Sequence, residues 1–437
     1  MLNSGISNSS YLQAAAQANS FRNFALQQQA LLQAQMRAQL MPGSQFPNPP
    51  SQGPAPGSLI IHDTFELSSN SPYTGEGNGG YWNKGVNKNS KHGEIVRYSA
   101  EFDGFQGPVV ERQTSSASDP YFSRIQHQSA SALKSQNLTK EQANQALRNQ
   151  MGAFTEGLYD TQTRMLNQDT ASGARNSVVN ISRGTSKARL TGDTYTALLK
   201  GVQSKDPQEN KEGFTALGNY ARAFDLDMTK LTSTDPEIHG PERQKLMQGL
   251  ADTASSVIDH SPRIAQARQK FDSAVSRFEE GNNSVVIAAG NEGRVGDLLA
   301  KLNHGRRLDL PDDFTKNILE NDQVTTVGAT RWKYDGEGNL KESKAGYSSH
   351  SDGIDIYASG SVGFKDPNKK ETDGTSYSAP RVASAMAELH RQNPNMSSAQ
   401  IEALMKSKLT HQLPQGSPGE KVLDFGKSFA FLKGQKF

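Results

Sequence analysis

Ser376 stands in the run Gly-Thr-Ser-Tyr-Ser-Ala-Pro at residues 374–380 of a 437-residue chain. A serine hydroxyl is a weak nucleophile at neutral pH. It becomes effective when a base takes its proton, an acid orients that base, and fixed donors receive the oxyanion. The chain offers a candidate for each part. Asp63 follows the apolar run Leu59-Ile60-Ile61, His92 precedes Gly93 and a short apolar segment, and Asn291 follows the apolar residues 284–289. Taken singly, Ser376 reads as a helix N-cap, Asp63 as a turn former and Asn291 as a left-handed turn residue. Taken together, they supply the parts of acyl transfer through a serine. His127, His239, His260 and His350 lack the glycine neighbour and the position, and read as surface or core histidines.

Positioning four such residues needs several chain ends at one place. Short apolar runs that end in polar residues alternate with helical stretches, which predicts an α/β domain with a mainly parallel sheet. Strands are expected over 59–61, 177–181, 284–289, 323–328 and 353–357. Helices are expected over 138–168, from Pro262 with Ile264, Ala267, Phe271, Ala274, Val275 and Phe278 on one face, and over 397–408. Pro380 suits the first turn of a helix, and Val382, Ala385, Met386 and Leu389 recur at helical spacing, so Ser376 is expected at or just before a helix N-terminus. There the free N–H groups and the helix dipole favour developing negative charge.

Two stretches interrupt the alternation. Residues 185–261 are charged and helix-rich, with breaks at Pro207, Pro236 and Pro241, and read as a helical insertion; residues 295–320 read as a shorter one. Residues 1–57 hold only two charges, Arg22 and Arg37, and end in a Pro/Gly/Ser-rich stretch, the composition of a tail and linker.

The 47 basic and 45 acidic residues leave a net charge of +2, which gives no reason to expect nucleic acid or a membrane surface as partner. The absence of cysteine excludes disulfides, thiolate metal sites and a cysteine nucleophile. No run of about 18 apolar residues is present to span a bilayer, and the first residues lack a signal-peptide pattern. Gly75, Gly77 and Gly80 have the spacing of a phosphate-binding loop, but no strand runs into them and no helix opens from them. The oxygens of Asp335, Glu337 and Asn339 suggest a calcium loop, yet Leu340 occupies the position that needs glycine, so a hairpin turn is the better reading.

At this level the chain resembles the subtilisin-like serine proteases, the subtilases or peptidase S8 family, in the order Asp, His, Ser. Residues 374–380 resemble the family's serine element, with Ser378 where alanine is usual. Val-Val-Ile-Ala-Ala-Gly-Asn-Glu-Gly at 285–293 resembles the segment that carries the oxyanion asparagine and one wall of the primary specificity pocket. Residues 178–184 resemble the substrate-binding strand with its Ser-x-Gly end, and Tyr347-Ser-Ser with residues 354–360 resembles the stretch ahead of the nucleophile. Asp63 and His92 match in position, with altered neighbours Thr64-Phe65 and Glu94-Ile95.

The resemblance implies a three-layer α/β/α fold with a mainly parallel sheet, spanning 58–437 and carrying the helical insertion. It implies Asp63, His92 and Ser376 as a triad and Asn291 as oxyanion donor. Ser182, Arg183, Gly184, Ala288, Ala289 and Gly290 would line the substrate, with Arg183 either solvent-facing or pointing at the substrate and favouring acidic groups on it. The activity implied is endopeptidase cleavage of polypeptides, with no cofactor required and no metal site, although structural calcium is frequent in the family and has no assignable loop here. Two other readings stay open: a catalytically impaired relative that holds a partner on the insertion or the tail, and an esterase or transpeptidase using the same triad. The tail could serve in export, inhibition or neither, and the insertion could cap the cleft or pack away from it.

Overall fold

A computed structural model describes residues 54–65, 91–114, 118–295, 308–334, 337, 339–349, 352–362, 372–413 and 420–434. The tail, the glycine-rich loop at 75–85, His350 and part of the 335–339 turn lie outside the described residues.

In chain order the elements begin with β1 (Leu59–Asp63), α1 (His92–Phe102), β2 (Val109–Gln113), α2 (Pro120–Ser135), α3 (Lys140–Ala171) and β3 (Val178–Ile181). Then come the helices α4 (Lys187–Val202), α5 (Pro207–Ala223), α6 (Met228–Leu231), α7 (Pro236–His260) and α8 (Pro262–Glu279), followed by β4 (Ser284–Ala288), β5 (Thr325–Tyr334), β6 (Leu340–Lys344), β7 (Ile356–Ser359), β8 (Ser361–Val362) and β9 (Thr372–Asp373). The chain closes with α9 (Thr375–Gln392), α10 (Ser398–Lys408), β10 (Thr410–Gln412), β11 (Lys421–Leu423) and α11 (Phe425–Leu432).

Among the described residues the main sheet runs β10-β11-β7-β5-β4-β3-β1-β2, with β6 paired to β5. Pairing is parallel from β2 through to β11, and antiparallel only at β5–β6 and β10–β11. Helices cover both faces because each central strand is apolar on both sides, as a buried parallel strand must be. Ile60, Val179, Ile181, Val285 and Ile287 face one core, which α3, α4, α5, α7 and α8 complete. Their neighbours Leu59, Ile61, Val178, Val286 and Ala288 face the other, against α1, α9, α10 and α11. The fold is the expected α/β/α sandwich.

The helices within 185–261 are present, and their apolar residues Leu190, Tyr195, Leu217, Tyr220 and Leu246 merge with the first core instead of forming one of their own. Each helix start has a local cause: Asp206 and Asp235 cap α5 and α7 and are followed by proline at the first helical position. Pro241, expected to break the helices, lies inside α7 instead, in its second turn. Three boundaries elsewhere also differ from expectation. Strand β5 continues past Gly328 because β6 pairs with its second half. The strand near 353–357 starts only at Ile356, where it finds Val327 as partner. The segment after His92 is helical, its first turn held by the Glu94 carboxylate accepting from the Lys91 N–H at 2.8 Å.

Phe271 is fully buried, its ring 5.9 Å from that of Tyr159 on α3. Phe271→Ala should cost about 3–5 kcal/mol of unfolding free energy, measured by urea titration. A loss under about 1 kcal/mol would show that α8 is not held by this packing.

Candidate active site

Strand β1 delivers two polar side chains to opposite faces, because successive side chains alternate. His62 points into the first core, where its ring lies 3.0 Å from Gln162 Oε1 and 2.8 Å from Asp169 Oδ2, and Arg112 also bonds Asp169 at 2.7 Å. It is fully buried and committed to α3. Asp63 points the other way, towards α1.

His92 is the first residue of α1, and its Nδ1 lies 2.8 Å and 3.0 Å from the two carboxylate oxygens of Asp63. The approach is close because Gly93 packs against Thr64 and Phe65; a Cβ there would sit 2.8 Å from the Phe65 ring and the Thr64 carbonyl. The Gly93 N–H donates to that carbonyl at 3.0 Å. Asp63 is fully buried, and burial is the largest influence on it and opposes ionisation. The charge and hydrogen bond of His92, the charge of Arg183 and the Thr64 N–H outweigh it, so the carboxyl titrates below its ordinary 3.8. With Nδ1–H directed at a carboxylate, the neutral His92 ring presents the lone pair of Nε2.

Ser376 is the second residue of α9 and is 8 % exposed. Pro380 is the sixth residue of that helix, not part of its first turn. Its missing N–H leaves the Ser376 carbonyl without the usual intrahelical donor. Ser182 supplies the replacement, donating from Oγ to that carbonyl at 2.8 Å, and Ser376 Oγ donates back to the Ser182 carbonyl at 3.1 Å. Asn180 steadies the pair by donating to Ser182 Oγ at 2.9 Å. Strand β3 and helix α9 are thus locked at the nucleophile candidate. Next to it, Tyr377 lies with its ring 5.9 Å from that of His92, and burial pushes its hydroxyl up to about 12, so it stays neutral.

Asn291 follows Gly290, whose φ of +106° is left-handed and favours glycine; a Cβ would also meet Glu292 at 2.5 Å and Ser349 at 2.8 Å. The turn aims Asn291 at α9. Its Oδ1 accepts from the Thr375 N–H at 2.8 Å and from the Thr375 hydroxyl at 3.0 Å, which leaves Nδ2 facing Gly374 and the Ser376 turn. The N–H of Ser376 belongs to a first helical turn, where donors have no acceptor within the helix. Both are available to an oxyanion.

Around this centre the structure gathers the ends of β3 and β4, with Ser182, Arg183 and Gly184 on one and Ala288, Ala289 and Gly290 on the other. Arg183 is turned inwards: its Nε is 3.3 Å from Asp63 Oδ1 and its Nη2 donates to Thr64 Oγ1. The guanidinium is directed at the carboxylate and its neighbour. Sequence reasoning did not single out Thr375, whose buried hydroxyl also accepts from the Gly290 N–H at 3.2 Å, or Asn317, which bonds the Ala288 carbonyl at 2.7 Å. Thr375 is part of the serine run and could have been weighed with it; Asn317 carries no local signal. Among the described residues the other histidines stand elsewhere: His127 and His260 are exposed, His239 bonds the Ser233 carbonyl, buried His390 bonds Ser284, and His411 bonds Glu342. Among the described residues no group of three or more His, Asp or Glu is placed to hold a metal ion, and no helix is long and apolar enough to cross a membrane.

A model of the subtilase family matches residues 129–426, well over half of the chain. The chain belongs to the subtilase family, a family of serine proteases. The matched span contains Ser182, Asn291 and Ser376 and starts after Asp63 and His92, so those two rest on the geometry above. Comparison with curated proteins gave no match. Among solved structures, this subtilase is similar to proteases from Pseudoalteromonas arctica PAMC 21717, at 22 % identity over 37 % of this chain and 47 % of that one, with a TM-score of 0.24. It thus spans under half the length of that relative. It is also similar to the nisin leader peptidase NisP from Lactococcus lactis, at 13 % identity over 88 % and 89 % of the two chains, with a TM-score of 0.37. The epidermin leader peptide processing serine protease EpiP from Staphylococcus aureus is 14 % identical over 88 % of this chain and 77 % of its own, with a TM-score of 0.36.

Arg183 is one of the influences that hold the Asp63 carboxyl down. A depressed folded-state pKa contributes stability that is present above the unfolded value, about 3.9, and is lost as pH falls through the folded one. Arg183→Met weakens the depression, so acid unfolding followed by circular dichroism should begin at a higher pH than in the wild type. Superimposable acid transitions would show that the guanidinium does not support the carboxylate.

Proposed function

We propose that this subtilase is an endopeptidase in which Ser376 is the nucleophile, His92 the general base and acid, Asp63 the orienting carboxylate, and Asn291 with the Ser376 N–H the oxyanion site. The observation that carries this reading is the buried Asp63 carboxylate bonded to His92 Nδ1, with the imidazole beside the Ser376 turn towards which Asn291 Nδ2 is directed.

In the first step Ser376 Oγ leaves the Ser182 carbonyl, passes its proton to His92 Nε2 and attacks the scissile carbonyl. The electron pair moves to the carbonyl oxygen, which Asn291 Nδ2 and the Ser376 N–H receive. Asp63 stays ionised and stabilises the imidazolium across the Nδ1 hydrogen bond. As the C–N bond breaks, His92 Nε2 gives the proton to the leaving amine, and the acyl group remains on Ser376. Water then attacks the ester, its proton going to His92 and from there to Ser376 Oγ as the acid departs. The reciprocal Ser182–Ser376 bonds describe the resting arrangement, and breaking one of them frees the hydroxyl without loosening the helix.

Labelling by a fluorophosphonate probe should be complete in the wild type and absent in Ser376→Ala. Asn291→Ala should keep the fold and lower turnover by about 100- to 1000-fold. A folded wild type that does not label, or equal turnover with and without Asn291, would overturn these roles; the first outcome would favour a binding protein that has lost the chemistry.

A further inference from the structure

Strands β3 and β4 are neighbours, paired in parallel as far as Ile181 and Ile287. Past that register the strand pairing stops. Ser182 is held to Ser376 on α9, while Gly290 and Asn291 turn to Thr375. Both strand ends therefore lie beside Ser376, and residues 182–184 and 288–290 flank the space next to it. A substrate whose carbonyl oxygen lies between Asn291 Nδ2 and the Ser376 N–H places the side chain of the residue carrying that carbonyl, the P1 residue, over this space, the P1 crevice.

One side chain spans the gap. A Cβ built on Gly184 would lie 2.2, 2.4 and 2.5 Å from Nδ2, Oδ1 and Cγ of Asn317, so the carboxamide rests directly against the glycine backbone. On its far side Nδ2 donates to the Ala288 carbonyl at 2.7 Å, and Oδ1 accepts from the Leu319 N–H at 3.2 Å. Asn317 is 2 % exposed. Its segment is tied down as well: the Ile318 N–H donates to the Thr185 carbonyl at 2.9 Å, the Tyr159 hydroxyl donates to the Ile318 carbonyl, and Lys187 bonds Asp313 and Asp259. With both ends of the amide occupied, rotating it out would break two buried hydrogen bonds and leave a carbonyl unpaired. The charge on the crevice wall is also engaged, since the buried Glu292 faces Ser349 at 3.3 Å and Arg189 at 3.6 Å.

We infer that Asn317 is the floor of the P1 crevice and restricts this protease to small, uncharged P1 residues of the Gly, Ala and Ser class; this rests on the triad reading above. A large P1 side chain would have to displace a carboxamide from a close-packed interior.

The test uses the full chain with fluorogenic peptides that differ only at P1, carrying Ala, Leu, Phe or Lys, and diisopropyl fluorophosphate to titrate Ser376. The wild type should prefer Ala to Phe by about 100-fold or more in kcat/KM, a ratio within the range that a pocket's shape can impose. Asn317→Gly should narrow that ratio to under about 10-fold by raising cleavage after Leu and Phe. Asn317→Ser, which keeps a hydroxyl for the Ala288 carbonyl, provides a second folded variant and should narrow it partly. A wild type that cleaves after Phe or Lys as well as after Ala overturns the inference without any variant. So does an unchanged ratio in a variant that folds and titrates fully. A wild type that fails to react with the phosphofluoridate would instead overturn the triad reading, and this inference with it.

Discussion

The burial of an ionised carboxylate at the end of β1 is the constraint around which the rest of the site is arranged. A fully buried Asp63 would be neutral unless its charge were compensated. Compensation comes from a helix that starts with His92, from an arginine just past the end of the neighbouring strand, and from the N–H of the next residue. Each of these fixes an element. The first helix must approach closely enough for Gly93 to touch Thr64, and β3 must end where Arg183 can reach across to β1. In the proposed triad the orienting carboxylate has to be ionised and immobile, and the same contacts would meet both needs.

The second coupling joins β3 to α9 and depends on a missing hydrogen. Proline inside a helix usually costs stability because it removes an N–H and crowds the preceding turn. Here the carbonyl released by Pro380 is the acceptor that Ser182 uses, so the defect in the helix is the point of attachment for the substrate-side strand. Ser376 is thereby tied to two elements at once: its backbone carbonyl accepts from Ser182, and its hydroxyl donates to the Ser182 carbonyl.

Much of this was legible in the sequence because the signals are local. Apolar runs ending in polar residues gave the strand ends with Asp63, Ser182 and Asn291, although the left-handed residue of the last turn is Gly290 and not Asn291. What was not legible depends on side chains meeting across long separations. Alternation tells which face a residue takes within a strand, but Arg183 lies beyond the end of β3, where that rule lapses, and its direction is set by Asp63. Pro380 has the same residue type whether it sits at position one or six of a helix; the partner that makes position six tolerable is Ser182, almost two hundred residues earlier. Asn317 fell in a stretch that reads as an insertion between strands, and nothing in its neighbours announces that Gly184 and Ala288 will close on it.

These contacts divide the site between the two helical layers. In the proposed mechanism the chemistry is built from β1 and from α1 and α9, and the two helices pack on one face of the sheet. The proposed crevice floor is the segment around Asn317, whose neighbours Phe314, Ile318 and Leu319 belong to the core on the other face, together with α3, α4 and α7. Lys187 ties that segment to α4 and α7 through Asp313 and Asp259, and Tyr159 ties it to α3. The helices between β3 and β4 therefore need not cover the cleft to act on it. By buttressing the proposed floor from behind, they would bear on which side chain fits, while His92 and Ser376 stand on helices that pack on the opposite face of the sheet. In the proposed arrangement the crevice floor and the two helices that carry His92 and Ser376 are supported mainly from opposite faces of the sheet, with β1 shared between the two cores.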